Sequence, residues 1–235
     1  MLSAPAPERL VVLLDVDNTL LDNDRFAADL DAWLEGSFGR VGCKRYWDIY
    51  ASRRAELGYA DYLGAVQLFR AGMDDDPALL RIAGFLLEYP FSDRVYPQAL
   101  AAIAHLRALG HPVIVSDGDV VFQPRKIQRS GLWDALNGDV LIYLHKQHAL
   151  AAIRRRYPAE HYVMVDDKPD LLSEIKEGFG DKVTTVFVRQ GHYAAAAIPG
   201  SAPDPDLQID HIAELCSLGR DAFLPRSRDS RAAEH

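Results

Sequence analysis

Six side chains that could do chemistry stand at or just beyond the ends of short apolar runs in the sequence. They are Asp15, Asp17, Ser116, Lys146, Asp166 and Asp167. Carboxylates that gather in one place repel one another, so they either bind protons more tightly or attract a cation. Because oxygen ligands suit hard cations, the acidic residues indicate magnesium, and the hydroxyl and the ammonium could hold an anionic group beside it.

These side chains would meet if the apolar runs were parallel strands of one sheet. Residues 9–16 read RLVVLLDV, which is typical of a central strand buried on both faces. Further strands are predicted at residues 112–116, 140–143, 162–165 and 183–188. Helices are predicted at residues 97–109, 124–130, 147–156, 170–177 and 209–218. This alternation predicts an α/β fold with a Rossmann-like parallel sheet, which binds ligands beyond the carboxyl ends of its strands.

The stretch from residue 24 to residue 89 has a different pattern. Its apolar residues recur at helical spacing, and glycines and Pro77 interrupt them. We predict about four helices and no strand there, so residues 23–90 would form a small all-helical domain inserted into the core. The α/β core domain would comprise residues 1–22 and 91–220. Residues 221–235 are rich in charge and are expected to be a disordered tail.

Composition and charge restrict the partners. Lys and Arg total 26 against 34 Asp and Glu, a net charge of -8, which argues against nucleic acid as a partner. No apolar run approaches the ~20 residues of a membrane span, and the N-terminus does not resemble a secretory signal. Cys43 and Cys216 lack metal-ligand spacing and are expected to be reduced thiols of a cytoplasmic protein. The expected partner is a small molecule, and the oligomeric state stays open.

The order and spacing of the six side chains resemble the motifs of the haloacid dehalogenase (HAD) superfamily. The matches are Asp15-Val16-Asp17-Asn18-Thr19 to D-x-D-x-T, Ser116 to a strand-ending hydroxyl, Lys146 to a lone lysine and Asp166-Asp167 to an acidic pair. The resemblance runs from about residue 9 to about residue 190. It implies five parallel strands with the first motif on a central strand, and a helical cap between the first two motifs.

The resemblance also implies a magnesium-dependent phosphohydrolase that acts on a small phosphorylated metabolite. Asp15 would attack phosphorus and form an aspartyl-phosphate, while Asp17 would serve first as general acid and then as general base. Magnesium would lie between the Asp15 carboxylate, the Asp17 backbone carbonyl and the pair Asp166 and Asp167. Which member of that pair is the direct ligand stays open.

Substrate phosphate would be held by residues from the first three motifs. They are Thr19, Ser116, Asp117, Gly118 and Lys146. Ser116 and Lys146 would stabilise the transferring phosphoryl group, and Thr19 would place the loop that carries Asp17. Asp117 and Asp119 depart from the family, which often has an uncharged residue here. They either point away from the phosphate or meet a cationic part of the substrate, and the second hypothesis predicts that Asp119→Asn changes substrate preference.

Three alternative functions share the fold. A haloacid dehalogenase displaces halide, which needs no proton, so the presence of Asp17 argues against that reaction. A phosphomutase uses the same two aspartates, and the sequence leaves it open. A catalytically silent relative that binds a metal or a partner is expected to have lost one of the six side chains, and all six are present.

Overall fold

A six-stranded sheet forms the centre of the computed structural model, which describes residues 8–196 and 203–224. The strands are β1 (Glu8–Leu14), β2 (His111–Asp117), β3 (Val140–Tyr143), β4 (Ala159–Asp166), β5 (Val183–Val188) and β6 (Leu207–Ile209). All neighbouring strands are parallel, in the order β3-β2-β1-β4-β5-β6. The expected α/β class, the Rossmann-like parallel sheet and the central place of β1 are therefore confirmed.

The number of strands was wrong by one, since five were expected. The additional strand β6 has three residues and pairs with β5 at the edge of the sheet, with Val186 opposite Leu207. Such a short strand has too few residues for its alternation to be recognised. Ile209, predicted to begin a helix, instead ends this strand, and a 3-10 helix follows at Ile212–Ser217.

The helices lie between the strands and in the stretch before β2. They are α1 (Asn23–Leu57), α2 (Tyr62–Phe69), α3 (Ala78–Glu88), α4 (Ala99–Leu109), α5 (Phe122–Arg129), α6 (Leu132–Ala135), α7 (Leu150–Arg156), α8 (Pro169–Phe179) and α9 (Gly191–Ala196). The short helix α9 was not predicted. Across residues 8–196 and 203–224, no helix is both long enough and apolar enough to cross a membrane.

Both faces of β1 are buried. Leu10, Val12 and Leu14 belong to one hydrophobic cluster, and Val11 and Leu13 belong to a second cluster that contains α8 residues. Alternate side chains of a strand point to opposite faces, so a strand covered on both sides needs the continuous apolar run seen in the sequence.

The stretch between β1 and α4 is helical, as predicted. Gly39 interrupts α1 with a φ of 68°, so α1 is two helical segments joined at a kink. The chain leaves and re-enters the sheet region at one place, because Leu21 and Val95 form an antiparallel bridge. Phe26 of α1 packs against Phe122 of α5, with 5.7 Å between ring centres. That residues 23–90 form a separate cap domain stays a prediction.

The disordered tail was predicted to begin too early in the chain. Arg220–Phe223 forms a 3-10 helix, and the Phe223 side chain is fully buried in the same hydrophobic cluster as Leu10. Its backbone carbonyl also accepts a hydrogen bond from Thr184 of β5. Residues 225–235, the rest of the predicted tail, lie outside the described residues, as do residues 1–7 and 197–202.

Candidate active site

Three carboxylates meet where β1 and β4 end. Leu14 is in register with Val165 of β4, so Asp15 follows β1 at the level where Asp166 ends β4. One carboxylate oxygen from each of Asp15, Asp166 and Asp167 lies within 4.8 Å of the others, and no more than 2% of any of the three residues is exposed. We call this group the carboxylate triad. The parallel pairing of β1 with β4 thus brings the first and last motifs together.

A buried lysine neutralises part of the triad. Lys146 follows β3, is fully buried, and its Nζ forms ion pairs with Asp15 and, at 2.6 Å, with Asp166. Burial alone would lower the pKa of Lys146, but the two carboxylates outweigh that effect and raise it. The amine therefore stays charged, and the predicted contact of Lys146 with the other motif residues is present.

Part of the triad has no protein partner. Both oxygens of Asp167 and the Oδ2 of Asp15 are buried and accept no hydrogen bond from any residue that the structure describes. Asp166 differs, because its Oδ1 accepts from the Lys168 backbone N–H at 3.0 Å, and its Oδ2, although it accepts no hydrogen bond from the described residues, forms an ion pair with Lys146 at 2.6 Å. Buried oxygens left without donors fit a bound cation. Asp15 and Asp167 are therefore the residues best able to hold a metal directly.

Without a metal, one proton should reside in the triad. Burial, together with the charges of Asp166 and Asp15, raises the pKa of Asp167 to about 9, and burial also raises the pKa of Asp166. The unfolded chain would release the Asp167 proton near its ordinary pKa of 3.8. Between these two pKa values the folded state binds more protons, so the metal-free protein loses stability as pH rises.

We predict that Asp167→Asn removes this pH dependence, because the amide has the shape of the protonated acid and does not titrate. In chelator, the free energy of unfolding of Asp167→Asn relative to wild type should increase from pH 5 to pH 8, at up to about 1.4 kcal/mol per pH unit. Urea unfolding of both proteins measures it. Asp181→Asn, at an exposed carboxylate, is the control. A difference that does not change with pH would contradict the assignment.

The Asp17 carboxylate lies apart from the triad. About a quarter of its side chain is exposed. Its Oδ1 accepts from Lys126 Nζ at 2.7 Å, and its Oδ2 accepts from Gln123 Nε2 at 3.2 Å. Asp15 and Asp17 thus present separate carboxylates, one beside a metal-type site and one beside a cation from α5.

Gln123 and Lys126 were missed in the sequence. Both lie on the buried face of α5, which also carries Phe122 and Ile127. An amide and an ammonium at core-facing positions of an amphipathic helix need polar partners. The placement of Gln123 and Lys126 among the apolar positions of α5 was therefore the sequence feature that could have revealed them.

The second motif is held by the same helix. Ser116 is buried, and its Oγ accepts from Gln123 Nε2 at 2.9 Å. A Cβ at Gly118 would lie 2.9 Å from the Cβ of Gln123, so only glycine leaves room for that side chain. Asp117 Oδ1 accepts from the Lys146 backbone N–H at 2.7 Å, which ties the loop after β2 to the residue after β3.

Asp119, the unusual carboxylate after the second motif, holds the turn that leads into α5. Its Oδ1 accepts from the backbone N–H groups of Val121 and Phe122 at 2.8 and 2.7 Å.

We predict that Asp119→Ala lowers the free energy of unfolding by about 1 kcal/mol, because the first turn of α5 loses its acceptor. Urea unfolding measures this, and Asp75→Ala, at an exposed carboxylate, is the control. Equal stability of the two variants would contradict this role of Asp119. The hypothesis of a cationic substrate group at Asp119 stays a prediction.

The loop after β1 is fixed to the start of α1. Asn18 has a φ of 60°, and its Oδ1 accepts from the backbone N–H groups of Asn23 and Asp24. Thr19 is buried, and its carbonyl accepts from Gln190 Nε2 at 3.2 Å. Its hydroxyl has no partner among the described residues. The expected role of Thr19 in placing the loop stays a prediction.

A second lysine, to which the sequence assigned no role, stands beside the triad. Burial would lower the pKa of Lys168, but Asp15 and Asp166 raise it, so the group stays a cation. Its Nζ lies 5.1 Å from the centre of the Tyr193 ring. Two ammonium groups therefore accompany the three carboxylates, and an anionic ligand would meet a less acidic site than the triad alone suggests.

Comparison with known proteins gives one family. The family profile for haloacid dehalogenase-like hydrolases matches residues 10–178. A protein from Burkholderia xenovorans LB400, described as a haloacid dehalogenase-like hydrolase, is 51% identical in sequence and superimposes with a TM-score of 0.86. That alignment covers 92% of this chain and 99% of the other. A search of curated proteins gives no match.

More distant solved structures share the fold. The HAD-hydrolase YfnB from Bacillus subtilis, bound to magnesium, is 19% identical with a TM-score of 0.59, and the alignment covers 89% of this chain and 97% of YfnB. A dehalogenase with an intermediate complex is also 19% identical, with a TM-score of 0.54 and coverage of 90% and 97%. At such identities the likeness extends to the fold alone.

Proposed function

This chain belongs to the haloacid dehalogenase-like hydrolase family, and we propose that it is a magnesium-dependent phosphohydrolase of small phosphate monoesters. The observation that carries the proposal is that its carboxylates have different surroundings. Asp15 has a buried oxygen that accepts no hydrogen bond from the described residues, beside Asp167, while Asp17 forms an ion pair with Lys126 in a partly exposed position. A nucleophile next to a metal and a separate acid are what phosphate ester hydrolysis requires.

Asp15 and Asp167 would hold the magnesium ion through their free oxygens, together with the Asp17 backbone carbonyl. Asp166, whose Oδ1 accepts from a backbone N–H and whose Oδ2 forms an ion pair with Lys146, would instead keep Lys146 in place. When bound, magnesium would neutralise charge on the phosphoryl oxygens and orient them. The binding of magnesium by YfnB, a protein of the same fold, supports this choice of ion.

In the proposed reaction, Asp15 attacks phosphorus and forms an aspartyl-phosphate. Asp17 donates a proton to the leaving oxygen and then removes one from the water that hydrolyses the intermediate. Ser116 and Lys146 donate to the phosphoryl oxygens, and Lys146 also keeps the Asp15 carboxylate oriented through its ion pair. The loop residues Thr19, Asp117 and Gly118 shape the same phosphate site.

The proposal also includes the class of substrate and the cellular compartment. The substrate would be a small phosphorylated metabolite, with neither nucleic acid nor membrane as a partner. We place the protein in the cytoplasm, where thiols stay reduced, and both Cys43 and Cys216 are free thiols.

We predict magnesium-dependent phosphate release from at least one member of a broad panel of phosphate monoesters. Release should stop in chelator and return when magnesium is restored. The measurement is inorganic phosphate over time, with 2-haloacids and sugar phosphates assayed in parallel for halide release and for phosphate migration. Halide release from a 2-haloacid would replace the proposal with dehalogenation. Migration without release would replace it with a phosphomutase.

A further inference from the structure

Lys126 is a charged residue inside an aromatic pocket. Its side chain is 1% exposed, and its Nζ lies 5.3 Å from the centre of the Phe122 ring and 6.0 Å from those of Phe26 and Phe91. A buried ammonium destabilises a protein unless it is paired and hydrogen-bonded. The partners of Lys126 therefore indicate why a cation is kept here.

Those partners are two polar side chains, Asp17 and Asn23. Lys126 Nζ donates to Asp17 Oδ1 at 2.7 Å and to Asn23 Oδ1 at 3.0 Å. Asn23 is the first residue of α1, so the lysine joins the loop after β1 to the first turn of the inserted helical segment. Neither partner belongs to the carboxylate triad, so the metal-type site does not explain Lys126.

Gln123, one turn earlier on α5, completes the arrangement. Its Nε2 donates to Asp17 Oδ2 at 3.2 Å and to Ser116 Oγ at 2.9 Å. Each oxygen of the Asp17 carboxylate therefore accepts from a donor on one face of a single helix. Two fixed donors restrict rotation of the carboxylate, although a quarter of the Asp17 side chain is open to solvent.

We propose that Lys126 is a positioning residue that holds the Asp17 carboxylate toward the leaving oxygen of the substrate. The inference rests on the proposed function, in which Asp17 is the acid. An acid must come within about 2.6–3.2 Å of the atom that it protonates. A displacement of about 1 Å can reduce a rate about 100-fold, so a carboxylate that swings into solvent would be a poor acid.

The first test is Lys126→Met, which keeps the aliphatic stem in its aromatic pocket and removes the ammonium. We expect kcat/KM for a simple alkyl phosphate to fall by about 100-fold or more, because an alkoxide needs a proton to leave. For p-nitrophenyl phosphate, whose nitrophenolate leaves without one, kcat/KM should fall by no more than a few fold, since it covers only the steps up to departure of the leaving group. The kcat of both esters should fall, because hydrolysis of the aspartyl-phosphate also uses Asp17 as a base. Lys182→Met, at an exposed lysine, is the matched control.

A double-mutant cycle distinguishes positioning from a general structural role. If Lys126 acts through Asp17, then Lys126→Met should cause no further loss in an Asp17→Asn background. Equal losses of kcat/KM for the two esters in the single variant, or losses that multiply in the double variant, would overturn the proposal.

A crystal structure of Lys126→Met gives a readout that does not depend on activity. The Asp17 carboxylate should turn away from Gln123, while the triad keeps its geometry. An Asp17 carboxylate that stays in place would overturn the positioning role. If the wild type releases no phosphate from any ester, the proposed function fails by itself, and this structure still decides whether Lys126 orients Asp17.

Discussion

Asp15→Asn should lower magnesium-dependent phosphate release by about 1,000-fold or more, since removal of a covalent nucleophile leaves only binding and electrostatic stabilisation. The amide keeps the size of the side chain, but it is a poor nucleophile and a poor metal ligand. The carboxylate that it replaces is the one that pairs with Lys146 and keeps Oδ2 free beside Asp167. The measurement is phosphate release from the best ester, with wild type assayed over the same range of magnesium.

Two controls accompany this variant. Asp181→Asn, an exposed position outside the site, should release phosphate at the wild-type rate. Thermal unfolding of Asp15→Asn shows whether a lost activity reflects a lost fold. A folded Asp15→Asn protein that retains more than a tenth of the wild-type rate would show that Asp15 is not the nucleophile, and the proposed aspartyl-phosphate route would be wrong.

The sequence predicts secondary structure and burial best where many residues contribute to a pattern. The strand β1 contains five consecutive apolar residues, Leu10 to Leu14, whose side chains alternate between two hydrophobic clusters, and this continuous apolar run predicted that burial. The strand β6 has three residues, of which Ile209 was assigned to a helix. Burial of Phe223 against residues far away in the chain could not be read from its charged neighbourhood.

The contacts of individual atoms in the candidate site could not be predicted from the sequence either. Asp166 and Asp167 are adjacent in sequence, so spacing could not say which of them is free to bind a metal. The structure separates them, because Asp166 accepts from a neighbouring backbone N–H and forms an ion pair with Lys146, whereas neither oxygen of Asp167 accepts a hydrogen bond from the described residues. In the same way, the contact of Lys126 with Asp17 joins residues 109 positions apart. Which face of α5 points inward had to be known before that pair could be recognised.

Lys146→Met should destabilise the metal-free protein more than any other single change considered above. It leaves Asp15 and Asp166 buried without their shared counter-charge, a situation that typically reduces the free energy of unfolding by about 3–5 kcal/mol. Phosphate release should fall by about 100- to 1,000-fold as well, because a donor to the phosphoryl oxygens is lost. Urea unfolding in chelator and phosphate release in magnesium measure the two effects, with Lys182→Met as the control.

Magnesium should restore part of the stability of Lys146→Met, and more than it adds to wild type. With the ammonium gone, the carboxylate triad has a greater need of a cation, so a ligand that binds only the folded state stabilises the variant more strongly. Comparing unfolding at several magnesium concentrations tests this directly. If magnesium adds equally to both proteins, Lys146 and the metal do not share the triad, and Asp15 and Asp167 would then not be its ligands. If activity instead stays low in saturating magnesium, the role of Lys146 toward the phosphoryl group would be distinct from its role in holding Asp15.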